Sequence, residues 1–501
     1  MGLDKLYQLI NSGRIDEIAR EVETLEGEEH IEGQYWNIFW SFYKTRDFER
    51  AKREAGELIG QEPVSLVSQV FQLLMEAFIL PFENKSDAAL SKLAAAGEII
   101  TALPGETVKK QLLEAWSLYW RGYCKCGMGL DDEALELYAR ALDIALAGHF
   151  PLKYMAPDIH LWTGVSCGRK GEFQLAQDHY VKSQHGFREL GNEFMEAFAL
   201  LGIGFCHHLQ GDLDTALEKY LGSLELSQRT GNKAREMSGL FEIGHVYYSK
   251  GEFQQAVNCY QQSLILSKKD KTEQGLISQV DSLYGLIAVY LDLQDKGQVN
   301  QHLVELEELS KSETGNKFGY PYVEVHYSLA KARVLKTQEQ FKAKAQASDL
   351  LRNLLEYDKL AKRERYLVLL ELCDLLAQEA KVMGDEAVYQ EMKAIFGDLK
   401  TLVRGWNTAP YTIDILILEA KLALVEGDME QAFTILERAR ELAEKKGLGY
   451  LTGKVQDQQE QVRKALDQWQ QLLDRNAPLQ ERLMMAELEL YIRTAIKKFE
   501  L

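Results

Sequence analysis

The chain has 501 residues, enough for two to four ordinary domains or one long repeat array. At 46% hydrophobic and 27% charged it can fill a core, which excludes wholesale disorder. A formal net charge of −18 argues against a general binder of nucleic-acid backbones, which needs a basic stripe.

The first stretch, "MGLDKLYQLINSGRIDEI", has neither the basic segment nor the apolar run of a signal peptide, and Leu6 stands where a myristoylation pattern requires Ser or Thr. No window shows the unbroken apolar length of a membrane span. Six scattered cysteines (Cys124, Cys126, Cys167, Cys206, Cys259 and Cys373) suit a reducing compartment. The expectation is a cytoplasmic protein with no membrane or nucleic-acid partner. Only 8 prolines punctuate the chain, as suits long helices. Short turn-plus-helix signatures at residues 13–18 (GRIDEI), 46–51 (RDFERA) and 84–89 (NKSDAA) predict degenerate helical hairpins over residues 1–105.

Residues 106–272 hold the clearest signal. Four stretches align without a gap: "GYCKCGMGLDDEALELYARAL" from Gly122, "GVSCGRKGEFQLAQDHYVKSQ" from Gly164, "GFCHHLQGDLDTALEKYLGSL" from Gly204 and "GHVYYSKGEFQQAVNCYQQSL" from Gly244. Each has a second glycine (Gly129, Gly171, Gly211, Gly251), then an alanine (Ala134, Ala176, Ala216, Ala256), a tyrosine (Tyr138, Tyr180, Tyr220, Tyr260) and a small residue (Ala141, Ser183, Ser223, Ser263). A period of about forty residues predicts stacked helix-turn-helix units. The first glycine costs roughly 1 kcal/mol in mid-helix, so its recurrence predicts close approach by the second helix, with the alanine as the matching small surface. The second glycine supplies the left-handed turn that ends the first helix. Asp132, Glu172, Asp212 and Glu252 follow at or near the start of the second helix, where a carboxylate suits the dipole.

This pattern resembles the tetratricopeptide repeat (TPR). The linkers "ELGNE", "RTGNK" and "ETGNK" are similar to those of the lengthened subclass in kinesin light chains and Pins-type adaptors. The resemblance implies an all-α fold, a right-handed α-solenoid superhelix whose first helices line a concave groove. Downstream the register weakens over residues 273–452. Gly285 is kept, but Asp292 and Gly297 stand where glycine and alanine are expected. Helix pairs are predicted at 320–356 and 363–402, and "GDMEQA" at 427–432 restores the pattern between Ala420 and Ala439. About nine to eleven units fill the chain, with joints at residues 103–106, 312–321 and 404–410. Residues 453–501 depart from the repeat. A long polar helix over 454–478 precedes a stripe of Met484, Leu488, Tyr491, Ala495 and Phe499, read as a capping element or as a tail that docks on a partner or in the array's own groove.

Residues three before, one after and four after each first glycine point together, away from the second helix. With the flanking tryptophans they give a candidate partner-binding groove of Trp116, Tyr119, Trp120, Tyr123, Trp162, Val165, Phe205, His208, Phe241, His245 and Tyr248. The row is aromatic, poor in charge, and has a gap at Gly168. It suits an apolar or amphipathic protein segment, and its two histidines suggest mild pH dependence. It lacks the Lys, Arg and Asn of the chaperone-tail carboxylate clamp. It also lacks the Asn two residues before the repeat glycine, where Trp120, Trp162, Gly202 and Glu242 stand.

No catalytic, metal or cofactor site is expected. Ser166 satisfies G-x-S-x-G, but a nucleophile elbow needs a strand before the serine, and the repeat puts Ser166 on a helix. The run Cys206–His207–His208 spreads about 100° per residue and would need a partner such as His245 to hold a metal. The function expected is therefore a non-enzymatic adaptor. A peptide-responsive regulator, or a GTPase effector or scaffold using its outer faces, is the alternative.

Overall fold

The computed structural model describes residues 2–11, 14–45, 48–83, 85–105, 108–147, 155–312, 322–338, 340–357, 360–405 and 409–499. Gly13, Arg46, Asp47 and Asn84 of the N-terminal turn signatures lie outside these residues, as do 313–321 and 406–408 of the predicted joints. Among the described residues every regular element is a helix. The chain is an all-helical solenoid of TPR-type hairpins. These group into two compact units, Met1–Cys206 with Glu218–Gly239, and His207–Leu217 with Leu240–Leu501.

In unit 1 the pairs run Gly2–Asn11 with Ile15–Val22, Gly27–Thr45 with Phe48–Ile59, Leu66–Ile79 with Ser86–Ala102, Val108–Gly127 with Asp131–Ala147, and Met155–Arg169 with Phe173–Glu189. The window Leu66–Glu83 is long and apolar enough to cross a membrane by length and composition, which the sequence reading did not anticipate. Here its residues Val70, Phe71, Leu74, Met75 and Phe78 are buried in the unit's core. Glu193–Gln210, Leu213–Arg229 and Lys233–Ser249 contribute to both units.

The recurring residues explain the stacking. A Cβ added at Gly122, Gly164, Gly204 or Gly244 would lie 2.6, 2.9, 2.6 or 2.8 Å from the ring of Tyr138, Tyr180, Tyr220 or Tyr260 on its own second helix. The tyrosine ring, rather than the aligned alanine, fills the space the glycine leaves. Two of these rings also reach the following first helix: a Cβ at Gly202 would meet Tyr180 at 2.5 Å, and one at Gly285 would meet Tyr260 at 2.8 Å. The alanines and the small residues after the tyrosines are fully buried. Ser223 donates to the Ala197 carbonyl, and Ser282 to Ser263, across the packed faces.

The turns follow their glycines. Gly129, Gly171, Gly211 and Gly251 have φ of 76°, 72°, 86° and 77°. The amide one residue later reaches back to the last helical turn, as from Glu172 to the Cys167 carbonyl at 2.9 Å, which closes a Schellman cap. Asn192 and Asn232 of the linkers cap the next first helices by accepting from the amides of Met195 and Arg235.

Unit 2 continues with Phe253–Ser267, Glu273–Asp292 with Lys296–Lys311, Tyr322–Lys336 with Phe341–Leu355, Lys362–Met383 with Glu386–Arg404, Ala409–Glu426 with Met429–Lys445, and Gly449–Lys464 with Leu466–Asp474. The predicted helix over 454–478 is thus broken at Ala465. The C-terminal stripe is broken as well. Glu487 adopts a left-handed φ of 49° between helices Leu479–Ala486 and Leu488–Phe499, which leaves Met484 61% exposed on the first of them. Leu488, Tyr491 and Ala495 are buried as expected, joined by Ile492 and Ile496; the Phe499 side chain lies outside what is described. Both tail helices pack on first helices Lys362–Met383 and Ala409–Glu426.

Replacing Gly204 with Ala forces a methyl group into the Tyr220 ring. Gly204→Ala is expected to lose about 1–3 kcal/mol of stability despite the better helix propensity. Gly97→Ala, where the new Cβ meets nothing within 4 Å, is expected to gain up to ~1 kcal/mol. Urea denaturation midpoints measured side by side check both signs.

Candidate functional site

The half-exposed side chains on the first helices of unit 1 form an aromatic ladder. Tyr123 and Trp162 meet edge to face with ring centroids 4.8 Å apart. Trp162 meets Phe198 of the next first helix in the same way at 5.9 Å. The Arg235 guanidinium closes the row, 3.6 Å from the Phe198 ring centroid. Counted from each helix's aligned glycine, these rungs lie one after, two before, six before and nine before. Each step back is therefore three or four residues, so the row crosses successive helices on one continuous face. The Trp162 indole N–H is covered and has no hydrogen-bond partner among the described residues, so hydrogen bonding within the fold does not account for the ring's position. Val165 and Phe205 flank the ladder half-buried, and Phe205 meets Phe173 with centroids 6.5 Å apart.

Trp116, Tyr119 and Trp120, expected on the same surface, are buried instead. Trp120 donates from Nε1 to the Tyr35 hydroxyl at 2.9 Å and packs edge to face on Phe39. Trp116 meets Trp36 at 4.9 Å, and Tyr119 stands between Trp116 and Trp120. The N-terminal hairpins cover these positions, so they support Tyr123 from beneath. The residues four after the glycine are buried throughout: Cys126, Gly168, His208 and Tyr248. They sit in the last helical turn, where the returning second helix covers them, as Phe253 stands beside Tyr248 at 6.0 Å. The gap at Gly168 opens toward Ala176, not toward solvent. Phe198 and Arg235 were missed because the spacing rule stopped one turn short of the first and two turns short of the second. Extending it to six before the glycine would have found Phe198 in register with Trp116.

In unit 2 Phe241 is half-buried, its ring 5.6 Å from Tyr260. His245 and His208 are buried with ring centroids 5.0 Å apart. Burial holds the His245 imidazole well below its usual range, with His208 and Arg363 adding to the effect. Tyr248 is buried with the Lys497 ammonium 5.3 Å from its ring centroid, so the C-terminal helix reaches this row.

The histidine pair is not joined by a third ligand: among the described residues no group of three or more His, Cys, Asp or Glu side chains could hold a metal ion. All six cysteine thiols are free, and burial pushes those of Cys124, Cys167 and Cys206 up to about 12. Ser166 is buried in the last turn of helix Met155–Arg169, not at a strand-to-helix turn.

A family model described as "MalT-like TPR region" matches residues 132–452. No curated protein matches the sequence. Among solved structures, the apo form of the quorum sensor NprR from B. thuringiensis is 16% identical, with 74% of this chain and 99% of that chain covered and a TM-score of 0.55. A Rap protein complexed with Competence and Sporulation Factor is 12% identical over 75% and 99% of the two chains, with a TM-score of 0.51. The apo form of RapI is likewise 12% identical, over 75% and 98%, at 0.51. At these identities the likeness is one of fold.

Beneath the ladder lies a buried acid. Asp158 is in register with Trp116 and Phe198, and burial pushes its carboxyl from 3.8 up to about 7, against the pull of a Tyr119 hydrogen bond. Unfolded, the group ionises near its ordinary value; folded, it keeps its proton to about 7. The unfolded state therefore binds fewer protons between those values, and stability falls as pH rises through that window. Asp158→Asn removes the loss. Its gain in melting temperature over the unmodified protein is expected to grow from pH 4 to pH 7 and level off above, as followed by circular dichroism.

Proposed function

This chain belongs to the MalT-like TPR family, and from that premise we propose that it is a non-enzymatic adaptor whose first-helix face in unit 1 captures a segment of a partner protein or peptide. The observation that carries this reading is the ladder of Tyr123, Trp162, Phe198 and Arg235: three half-exposed aromatic rungs and an arginine, on four successive first helices. Such a row offers large rigid rings that lose little entropy on contact, which is the character of interface anchors. It favours an extended or helical segment with apolar side chains. Arg235 at its end provides a charged contact for an acidic group on that segment. Val165 and Phe205 widen the apolar floor, while Trp116, Tyr119 and Trp120 hold it from below. The free thiols suit a cytoplasmic setting.

The second reading, a peptide-responsive regulator, uses the same face. It is supported by the likeness of fold to a quorum sensor and to a Rap protein complexed with Competence and Sporulation Factor. The two readings differ in what binding does, not in where it occurs.

Alanine at Trp162 and Phe198 removes two rungs. Each is expected to weaken partner capture by at least tenfold, on the order of 2 kcal/mol for a central anchor. Affinity purification from the native host with each variant, alongside far-UV circular dichroism, gives the measurement. Retained fold with an undiminished set of partners would remove the ladder from the binding surface.

A further inference from the structure

The first-helix face of unit 2 is already filled by helix Leu488–Phe499. Leu488 and Ile492 enter a slot lined by Leu370, Cys373, Leu418 and Leu422, over Met392 and Phe396 of the second helix behind. Tyr491 donates to the Asp414 carboxylate at 2.9 Å. Two basic residues face acids of the seat: Arg493 stands 3.4 Å from Asp374, and Lys497 donates to Asp292 at 2.6 Å. We propose that this seat is a binding site for a basic amphipathic helix of another protein, and that the chain's own C-terminal helix is a displaceable stand-in for it. This inference concerns unit 2 and does not rest on the ladder of unit 1.

Three features separate this from a permanent cap. The first is how the seat's buried acids are neutralised. Asp374 and Asp414 are fully buried, yet each has a lysine of the array itself: Lys336 at 2.6 Å from Asp374 and Lys454 at 3.0 Å from Asp414. When the tail leaves, neither carboxylate is orphaned, so the large penalty of an unpaired buried charge does not hold the tail in place.

The second feature is the hinge. Leu479–Ala486 is fastened separately: Arg482 donates to the Val425 carbonyl, Gln480 to that of Val382, and Lys421 to that of Ala486. The first two fill carbonyls at the ends of helices Ala409–Glu426 and Lys362–Met383, and the third fills that of the helix's own last residue. Together they also hold the chain up to Glu487, whose left-handed φ is disfavoured for a side chain of its kind. The final helix can therefore swing out while the preceding one stays.

The third feature is chemistry. The tail's outer anchors Arg493 and Lys497 are half-exposed, and Lys381 pairs with its Glu489 at 3.1 Å. The helix the seat selects thus has apolar residues at i, i+4 and i+8, a tyrosine-like hydrogen-bond donor three after the first, and basic residues five and nine after it. The net charge of −18 steers such a basic helix toward the chain.

The test uses the full chain with Arg493→Glu and Lys497→Glu, which repel Asp374 and Asp292 and free the tail. The probe is a fluorescent peptide of residues 487–499, followed by anisotropy. The variant is expected to bind it at least tenfold more tightly than the unmodified protein does, as a 1:1 complex. A peptide carrying the same two substitutions is expected not to bind. Equal or absent binding by the two proteins overturns the proposal, as does a concentration-dependent dimer of the unmodified chain in light scattering, which would make a second copy's tail the occupant. Hydrogen exchange of the unmodified protein guards against a misfolded variant. Amides of 488–499 are expected to exchange well before those of Lys362–Met383, and faster when peptide is added. Exchange of the tail only with its supporting helices overturns the proposal.

Discussion

The four best-formed hairpins depend on one contact, a tyrosine ring of a second helix lying on a bare glycine of its first. Helices whose surfaces are separated only by a ring's thickness fix both their distance and their rotation. Where the same ring also touches the next first helix, as Tyr180 and Tyr260 do against Gly202 and Gly285, one side chain sets the spacing within a hairpin and between hairpins. Glycine in mid-helix is locally unfavourable, and its return in four units shows that tertiary packing outweighs propensity there. The left-handed glycine seven residues later then turns the chain back at a fixed point, so the ring arrives over its partner.

Once that spacing is set, the first helices must present a regular set of faces, and what covers those faces decides what each does. In unit 1 the N-terminal hairpins bury Trp116, Tyr119 and Trp120, and the open strip shifts to Tyr123, Trp162 and Phe198. In unit 2 the chain's own last helix takes the corresponding face. The same architecture therefore yields an open aromatic row in one unit and a charged, occupied seat in the other.

Charge placement differs between the two in a telling way. The acid beneath the ladder, Asp158, is buried with a hydroxyl for company and holds its proton up to about 7. The buried acids of the unit 2 seat, Asp374 and Asp414, each have a lysine beside them. Burial opposes ionisation of Glu371 too, yet the cations of Arg333 and Lys336 prevail and draw its carboxyl down to about 2. Burial alone does not decide the state of a carboxyl; its neighbours do. A ladder whose buried acid stays protonated up to about 7 suits apolar anchors, and a seat with the Asp292 carboxylate at its edge suits an incoming cation.

The repeat, its turns, the free thiols and the class of protein were legible from the residues, because glycine, alanine and tyrosine at fixed offsets constrain backbone and packing locally. The sequence by itself determined that this is a helical hairpin array with apolar first-helix faces. Which aromatic residues stay open, that the C-terminal stripe breaks at Glu487, and that Phe198 and Arg235 extend Trp162 into a row were decided only by the tertiary structure. The reason is physical: periodicity says which side of a helix a residue occupies, but not whether a hairpin distant in sequence covers that side.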